Sequence, residues 1–332
     1  MKYRILGRTG LKISEIGFGC GNIGGMMVRG GHEDQVRAVR QAMELGINYF
    51  DTAAAYGDGK SEENLGMVLK EIETKVTLAT KVRHRPEDVA NLKEATIASV
   101  EQSLKRLQKM SVDLIQLHTR VRVERGEGRF AVTPNEILGP EGVLGAFKSL
   151  REQGKVRYFG FSGLGDPEAL HALIESGEFH SIQAYYNMLN PSAGQPVSAR
   201  FSPLDYGGLI DHAAAKGMGV VVIRVLAAGS LTASPEARGS SSREPLSPGS
   251  DYAHDVERAQ KLGFLIQGDV KTLSQAAIRF ALMKPEVSTV LVGFSNQEHI
   301  EEAVDCSGTG ELPGEAMVRL KQLWETDFLE VR

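Results

Sequence analysis

The chain has 332 residues, 42% hydrophobic and 24% charged, enough apolar material to bury a full core. Thirty-eight basic against 42 acidic residues leave a formal charge of −4, which excludes the global basic field of a nucleic-acid or anionic-membrane binder. Two cysteines, Cys20 and Cys306, exclude a disulfide framework, and the scattered histidines lack ligand spacing, so no metal site is expected.

The opening MKYRILGRTGLK has no apolar run fit for a secretory leader, which predicts a cytoplasmic protein. Lys2–Ile5 and Leu11–Ile13, joined across Gly7 to Gly10, read as a β-hairpin. Ile16–Phe18 is a strand, and a Gly-rich loop leads to a helix over Glu33–Leu45 with Val36, Val39 and Met43 at helical spacing. Asn48–Phe50 runs into Asp51, and Ser61–Lys70 is helical. Thr77–Thr80 precedes Lys81; Pro86, Glu87 and Asp88 then suit the first turn of a helix that continues to Leu107. Val112–Leu117 ends at His118, and a helix follows over Glu141–Gln153. Val156–Phe161 ends at Ser162, before a helix opened by Asp166-Pro167-Glu168. Ser181–Ala184, a helix over Leu204–Lys216, Val220–Ile223, a helix over Thr272–Met283, Thr289–Val292 and a helix over Gln297–Ala303 complete the series.

Eight βα units spaced by roughly thirty residues predict a closed parallel barrel, a (β/α)8 fold, with an added N-terminal hairpin. No Pro/Gly-rich linker divides the chain, so residues 1–332 are read as one domain. Two insertions, Thr119–Pro140 and Thr232–Ser250, follow predicted strands and fall on the face where barrels place their sites. The longest apolar stretch, Gly217 to Gly229, carries Arg224 and is too short to cross a bilayer.

The strand ends hold the chemistry. Asp51, Lys81 and His118 each follow a β-rich run, and Tyr56 lies five residues after Asp51. Any one alone reads as a helix cap or a solvated loop residue; together, at converging strand ends, they point to a site. A free tyrosine has a pKa of about 10, too high for proton exchange at neutral pH. A neighbouring ammonium stabilises the phenolate, a carboxylate keeps that lysine charged, and an imidazole can orient a carbonyl oxygen. Such a group suits reversible carbonyl reduction by a bound hydride donor.

Here the sequence resembles the aldo-keto reductase family. The likeness runs from LGRTGLKISEIGFGCGNIGG through INYFDTAAAYGDGKSEENLG, VTLATKV and VDLIQLH to GKVRYFGFSGL, SIQAYYNMLN and STVLVGFSNQEHIEEA. It implies Tyr56 as general acid and base, Lys81 and Asp51 as its tuning pair, and His118 as the group that positions the substrate. It also implies NAD or NADP as cofactor, contacted by Gly19, Cys20, Asp51, Ser162 and Gln183. This chain has Gly163 where the family usually has Asn, which removes one amide contact. In IRVLAAGSL, Ile223 stands where an aromatic often stacks on the nicotinamide, so Ile223 or the adjacent Arg224 packs there, with Val225 and Leu226 following. The adenosine end falls on Gly293, Phe294, Ser295, His299 and Glu302, with Ala303 where an adenine-binding Asn is frequent. No Lys or Arg stands there for a 2′-phosphate, which leans toward NAD.

The expected partner is a small carbonyl or alcohol substrate, an aldehyde, ketone or aldose, touched by Tyr56, His118, Arg120 and Tyr186. Tyr185 and Arg122 are further candidates for the cleft. Two alternatives are weighed. Gly19-Cys20-Gly21-Asn22-Ile23-Gly24 matches a dinucleotide fingerprint, but its last glycine does not open a helix. Some members of the family serve instead as non-catalytic, nicotinamide-binding regulatory subunits of membrane channels, which the same barrel allows.

Overall fold

The computed structural model describes residues 1–126, 128–232 and 252–329. Eight parallel strands close into a barrel: β3 (Ile16–Gly19), β4 (Tyr49–Asp51), β5 (Thr77–Val82), β6 (Val112–Leu117), β9 (Val156–Ser162), β10 (Ser181–Tyr185), β11 (Gly219–Ile223) and β12 (Val287–Gly293), which returns to β3. The predicted (β/α)8 barrel is therefore the fold. The registers matter for the site: Gly19 pairs with Asp51, Lys81 with Gln116, Ser162 with Gln183, and Tyr185 with Ile223.

The hairpin of β1 (Tyr3–Ile5) and β2 (Lys12–Ser14) plugs the barrel floor. Leu6 and Ile13 join Tyr49, Ala79, Leu114 and Val221 in the buried interior, and Arg4 donates to the Val287 carbonyl at 2.7 Å. Gly7 has φ +47°, and a Cβ there would lie 2.1 Å from the Gly219 nitrogen, so only glycine lets the hairpin press this close. On the outer face, Phe18 stacks on Phe50 at 5.1 Å and meets Phe294 at 5.0 Å, part of the larger core under the helices.

Several helix boundaries differ from the sequence reading. Pro86–Asn91 forms a separate 3-10 turn, and the α-helix proper spans Leu92–Leu107, because Asn91 leaves helical geometry at φ −143°. The helix expected from Leu204 starts at Leu209, after Gly207 and Gly208 at positive φ. Helices at Tyr252–Gln260 and Gly314–Glu325 were not foreseen; the latter anchors through Trp324 Nε1, which donates to the Met188 carbonyl at 2.8 Å.

The described residues of the first insertion are tied to the barrel. Its strands β7 (Arg120–Val121) and β8 (Ala131–Val132) pair in parallel, and a capped turn of helix spans Pro134–Leu138. Val121 N donates to the Leu164 carbonyl at 2.8 Å, and Asp166 N donates to the Val121 carbonyl at 2.9 Å, stitching the insertion to the segment after β9. The second insertion lies, from residue 233 onward, outside the described residues. Among the described residues no helix is long and apolar enough to cross a membrane.

Candidate active site

Alternation along a strand puts every second side chain inside the barrel. Asp51 ends β4 facing inward and is fully buried. Its Oδ1 pairs with Lys81 Nζ, while Oδ2 accepts from Gln116 Nε2 at 2.9 Å and Gln183 Nε2 at 2.7 Å. One carboxylate is thus satisfied by an ammonium and two amides supplied by three other strands. An ammonium has three protons to give. Lys81 gives them to Asp51, to the Thr52 carbonyl at 2.9 Å and to Tyr56 Oη at 3.2 Å. Burial opposes its charge, but Asp51 and Tyr56 outweigh burial and hold its pKa above the ordinary lysine value.

Tyr56 sits half-buried on the turn after β4, where Gly57 N donates to Asn22 Oδ1 at 3.0 Å. Lys81 Nζ lies 4.8 Å from the centre of its ring. His118 meets the same ring edge-on, with centroids 5.6 Å apart. Burial, then the cations Lys81, Arg83 and Arg224, press the His118 pKa well below the usual histidine value, so its imidazole is neutral at physiological pH. The four residues singled out in the sequence therefore converge at the barrel mouth.

Sequence reasoning missed the groups that hold them. Gln116 lies one pleat below His118, a placement that the strand period alone reveals. A second group centres on His84. Thr96 Oγ1 donates to the Leu92 carbonyl at 2.6 Å, so it accepts from His84 Nε2 at 2.8 Å; His84 Nδ1 then accepts from Thr119 Oγ1 at 3.0 Å. Thr119 Oγ1 also accepts from His84 N at 2.7 Å, which pins the residue after His118.

Burial brings the His84 pKa down from 6.5 to about 4, with Asp88 as a weaker opposing influence. The unfolded chain takes up this proton near pH 6.5 while the folded chain refuses it until about pH 4. Stability is therefore complete above pH 6.5 and falls as pH drops toward 4, by on the order of 3 kcal/mol from this residue. Urea midpoints at pH 7.5 and 4.5 should shift less for His84→Gln than for the wild type; equal shifts contradict the assignment.

The cofactor-side expectations separate into those at the mouth and those in the core. Ser162 Oγ lies 3.5 Å from Gln183 Oε1, beside Asp51. Gly163 N donates to the Gln183 carbonyl at 2.7 Å, and a Cβ at 163 would meet that same oxygen at 2.8 Å, so the backbone here favours glycine over the family's Asn. Ile223 and Arg224 are half-buried at the end of β11; Arg224 has φ +60°, and its carbonyl accepts from Asn187 Nδ2 at 2.9 Å. Leu226 is half-buried just beyond. Gly19 and Gly293 pair across β3 and β12. Ser295 Oγ and His299 Nδ1 lie 3.0 Å apart on the exposed surface.

Other candidates need correction. Tyr186 is 1% exposed and stacks on Phe280 at 4.9 Å, because β10 turns every second side chain outward; it lies under the helix at Leu273–Leu282, not in the cleft. Tyr185 faces the other way and is covered by Tyr206 at 5.8 Å. Phe294, Val225 and Cys20 bury their side chains, leaving only backbone for a ligand. The Glu302 carboxylate is engaged by Thr272 Oγ1. Arg120 is half-buried two residues past His118, and Arg122 lies 3.9 Å from Asp166. Among the described residues no His/Cys/Asp/Glu cluster suits a metal ion.

The donors and acceptors left at the mouth suit a nicotinamide carboxamide. Ser162 Oγ donates to Gln183 Oε1 only at 3.5 Å, so this hydroxyl and this amide oxygen can exchange their long mutual bond for bonds to a carboxamide, while Gln183 Nε2 stays on Asp51.

Comparison with known proteins agrees with this picture. Residues 15–325 match the aldo/keto reductase family. L-galactose dehydrogenase of Arabidopsis thaliana is 30% identical over 311 residues, covering 92% of this chain and 87% of that protein. A provisionally named voltage-gated potassium channel subunit beta of Schizosaccharomyces pombe is 29% identical over 325 residues, covering 91% and 87%. The solved structure of an aldo-keto reductase from Bacillus halodurans, in its holo form, superposes with a TM-score of 0.72 at 26% identity, covering 98% of this chain and 97% of that one.

Proposed function

The chain belongs to the aldo/keto reductase family and is an NAD(P)-dependent oxidoreductase, and on that premise we propose that Asp51, Tyr56, Lys81 and His118 carry reversible carbonyl reduction. The observation that supports this most is the contact between Lys81 Nζ and Tyr56 Oη, 3.2 Å, with Asp51 behind the lysine. In reduction, Tyr56 gives its phenolic proton to the carbonyl oxygen; the ammonium stabilises the phenolate left behind. Neutral His118 donates a hydrogen bond to the same oxygen and sets its approach. In oxidation the phenolate takes the hydroxyl proton back. The nicotinamide, when bound, supplies the hydride to the carbonyl carbon.

Ser162 and Gln183 would hold the carboxamide, Ile223 and Arg224 would wall the ring and its phosphates, and Ser295 with His299 would meet the adenosine end. Aldehydes, ketones and aldoses are the proposed substrates, with Arg120 at the rim. The relatives give no ground for preferring NADH to NADPH, so the preference for NAD expected from the missing Lys or Arg is not supported. His299→Arg should raise the NADPH over NADH affinity ratio about tenfold by pairing with the 2′-phosphate, read by fluorescence titration. An unchanged ratio would place the adenosine end elsewhere.

The likeness to a channel subunit favours a second reading, a nicotinamide-binding regulatory module. Aldehyde-dependent consumption of NAD(P)H separates the two. Turnover that requires Tyr56 supports the enzyme; tight dinucleotide binding with no turnover of any carbonyl supports the module.

A further inference from the structure

Arg83 follows directly on β5, two residues after Lys81, so continuing the strand's alternation places it one pleat higher on the face that sends Lys81 into the barrel, at the mouth. The backbone on both sides of Arg83 is fixed to the β6 end. The Val82 carbonyl accepts from His118 N at 2.7 Å, and His84 N donates to Thr119 Oγ1 at 2.7 Å. Arg83 is thereby clamped alongside the His118–Thr119 peptide, although its side chain is exposed. Its charge reaches the His118 imidazole, together with those of Lys81 and Arg224.

The other cations around His118 are engaged elsewhere. Lys81 has given all three protons within the site. Arg224, just past β11, and Arg120 both already interact with other groups. Asp51 is fully buried and already takes Lys81, Gln116 and Gln183, so a cation at the surface does not reach it. Arg83 makes no ion pair or hydrogen bond among the described residues. An exposed guanidinium at the strand end next to His118, its charge felt by the imidazole and its donors open among the described residues, is suited to grip two oxygens of one anion.

We propose that the substrate end of the cleft binds carbonyl compounds that carry their own carboxylate or phosphate, and that Arg83 receives that anionic group. This rests on the reading of Tyr56 and His118 as the carbonyl-binding pair. The anion fixes one end of the substrate at Arg83 while the carbonyl oxygen lies at the tyrosine, so charge on the substrate selects for length as well as sign.

The test compares matched substrates at saturating NAD(P)H: 4-oxobutanoate against butanal, and glyceraldehyde 3-phosphate against glyceraldehyde. The wild type should favour at least one anionic partner in kcat/KM by about 10- to 100-fold, and the favoured pair says whether carboxylate or phosphate fits. In Arg83→Gln that ratio should fall toward one, mainly through KM, and Arg83→Lys should restore part of it. A wild-type enzyme that treats charged and neutral partners alike, or an Arg83→Gln ratio equal to wild type, overturns the proposal. If no carbonyl is turned over, the reading of the cluster has failed. The anion site is then decided by calorimetry of succinate and inorganic phosphate on the NAD(P)H-bound protein. Binding weakened at least about tenfold in Arg83→Gln upholds the site, and no difference between the proteins overturns it.

Discussion

Tyr56→Phe should lower kcat by about 10²- to 10⁴-fold while leaving NAD(P)H affinity within about twofold, the signature of a lost proton donor. The ring itself has structural work to do. It lies edge-on to His118 and over the Lys81 ammonium, and phenylalanine keeps both contacts. Only the hydroxyl that meets Lys81 Nζ at 3.2 Å disappears. Lys81 then has one donor without its partner, but its pair with Asp51 and its bond to the Thr52 carbonyl persist, so the fold should survive. Steady-state assays with a simple aldehyde, alongside a fluorescence titration of NAD(P)H, give both numbers. A variant that keeps more than about a tenth of the activity would remove Tyr56 from the chemistry.

Lys81→Met should have the largest effect on stability, about 3–5 kcal/mol, and should abolish turnover as well. The reason is the enclosure of the pair. Lys81 and Asp51 side chains are both essentially inaccessible, at 0% and 1%. Removing the ammonium leaves a carboxylate in the barrel with two amide donors and no counter-charge. Asp51→Leu does the reverse and strands the ammonium. The double variant removes both charges and should recover much of the loss, because the cost lies in the unpaired ion rather than in the missing pair. Denaturant midpoints for the two single variants and the double variant test this. Additive losses, or single variants that each cost under about 1 kcal/mol, would contradict the buried pair.

The barrel was readable because each strand announces itself by a short β-rich run, and several of those runs end in a polar residue. Asp51, Lys81, His118 and Ser162 mark four of those ends, and the structure gathers them as the period of two requires. That same period separates Tyr185 from Tyr186, yet two adjacent tyrosines look alike in a sequence until the register of β10 is known. Helix starts were harder. Pro86 and Asp88 suit the first turn of a helix, and so they are, but of a 3-10 turn that stops at Asn91.

The supports of the site were less legible still. Gln116 and Gln183 converge on one carboxylate from strands β6 and β10, a juxtaposition that no local spacing encodes. His84 reads in the sequence only as one of eight scattered histidines without ligand spacing, because its partners Thr96 and Thr119 lie on different elements. The insertion after His118 read only as a long loop on the site face. Backbone bonds from Val121 to Leu164 and Asp166 tie its first strand to the segment after β9, which composition does not report.

The most direct test of the hydride-transfer account is to follow the label. NAD(P)H deuterated at the transferable position is mixed with the protein and an aldehyde, and the alcohol is analysed by mass spectrometry and NMR. The account predicts one deuterium on the former carbonyl carbon, formed by the wild type and at least about a hundredfold more slowly by Tyr56→Phe. Alcohol without deuterium, or equal rates of labelling by both proteins, would contradict it.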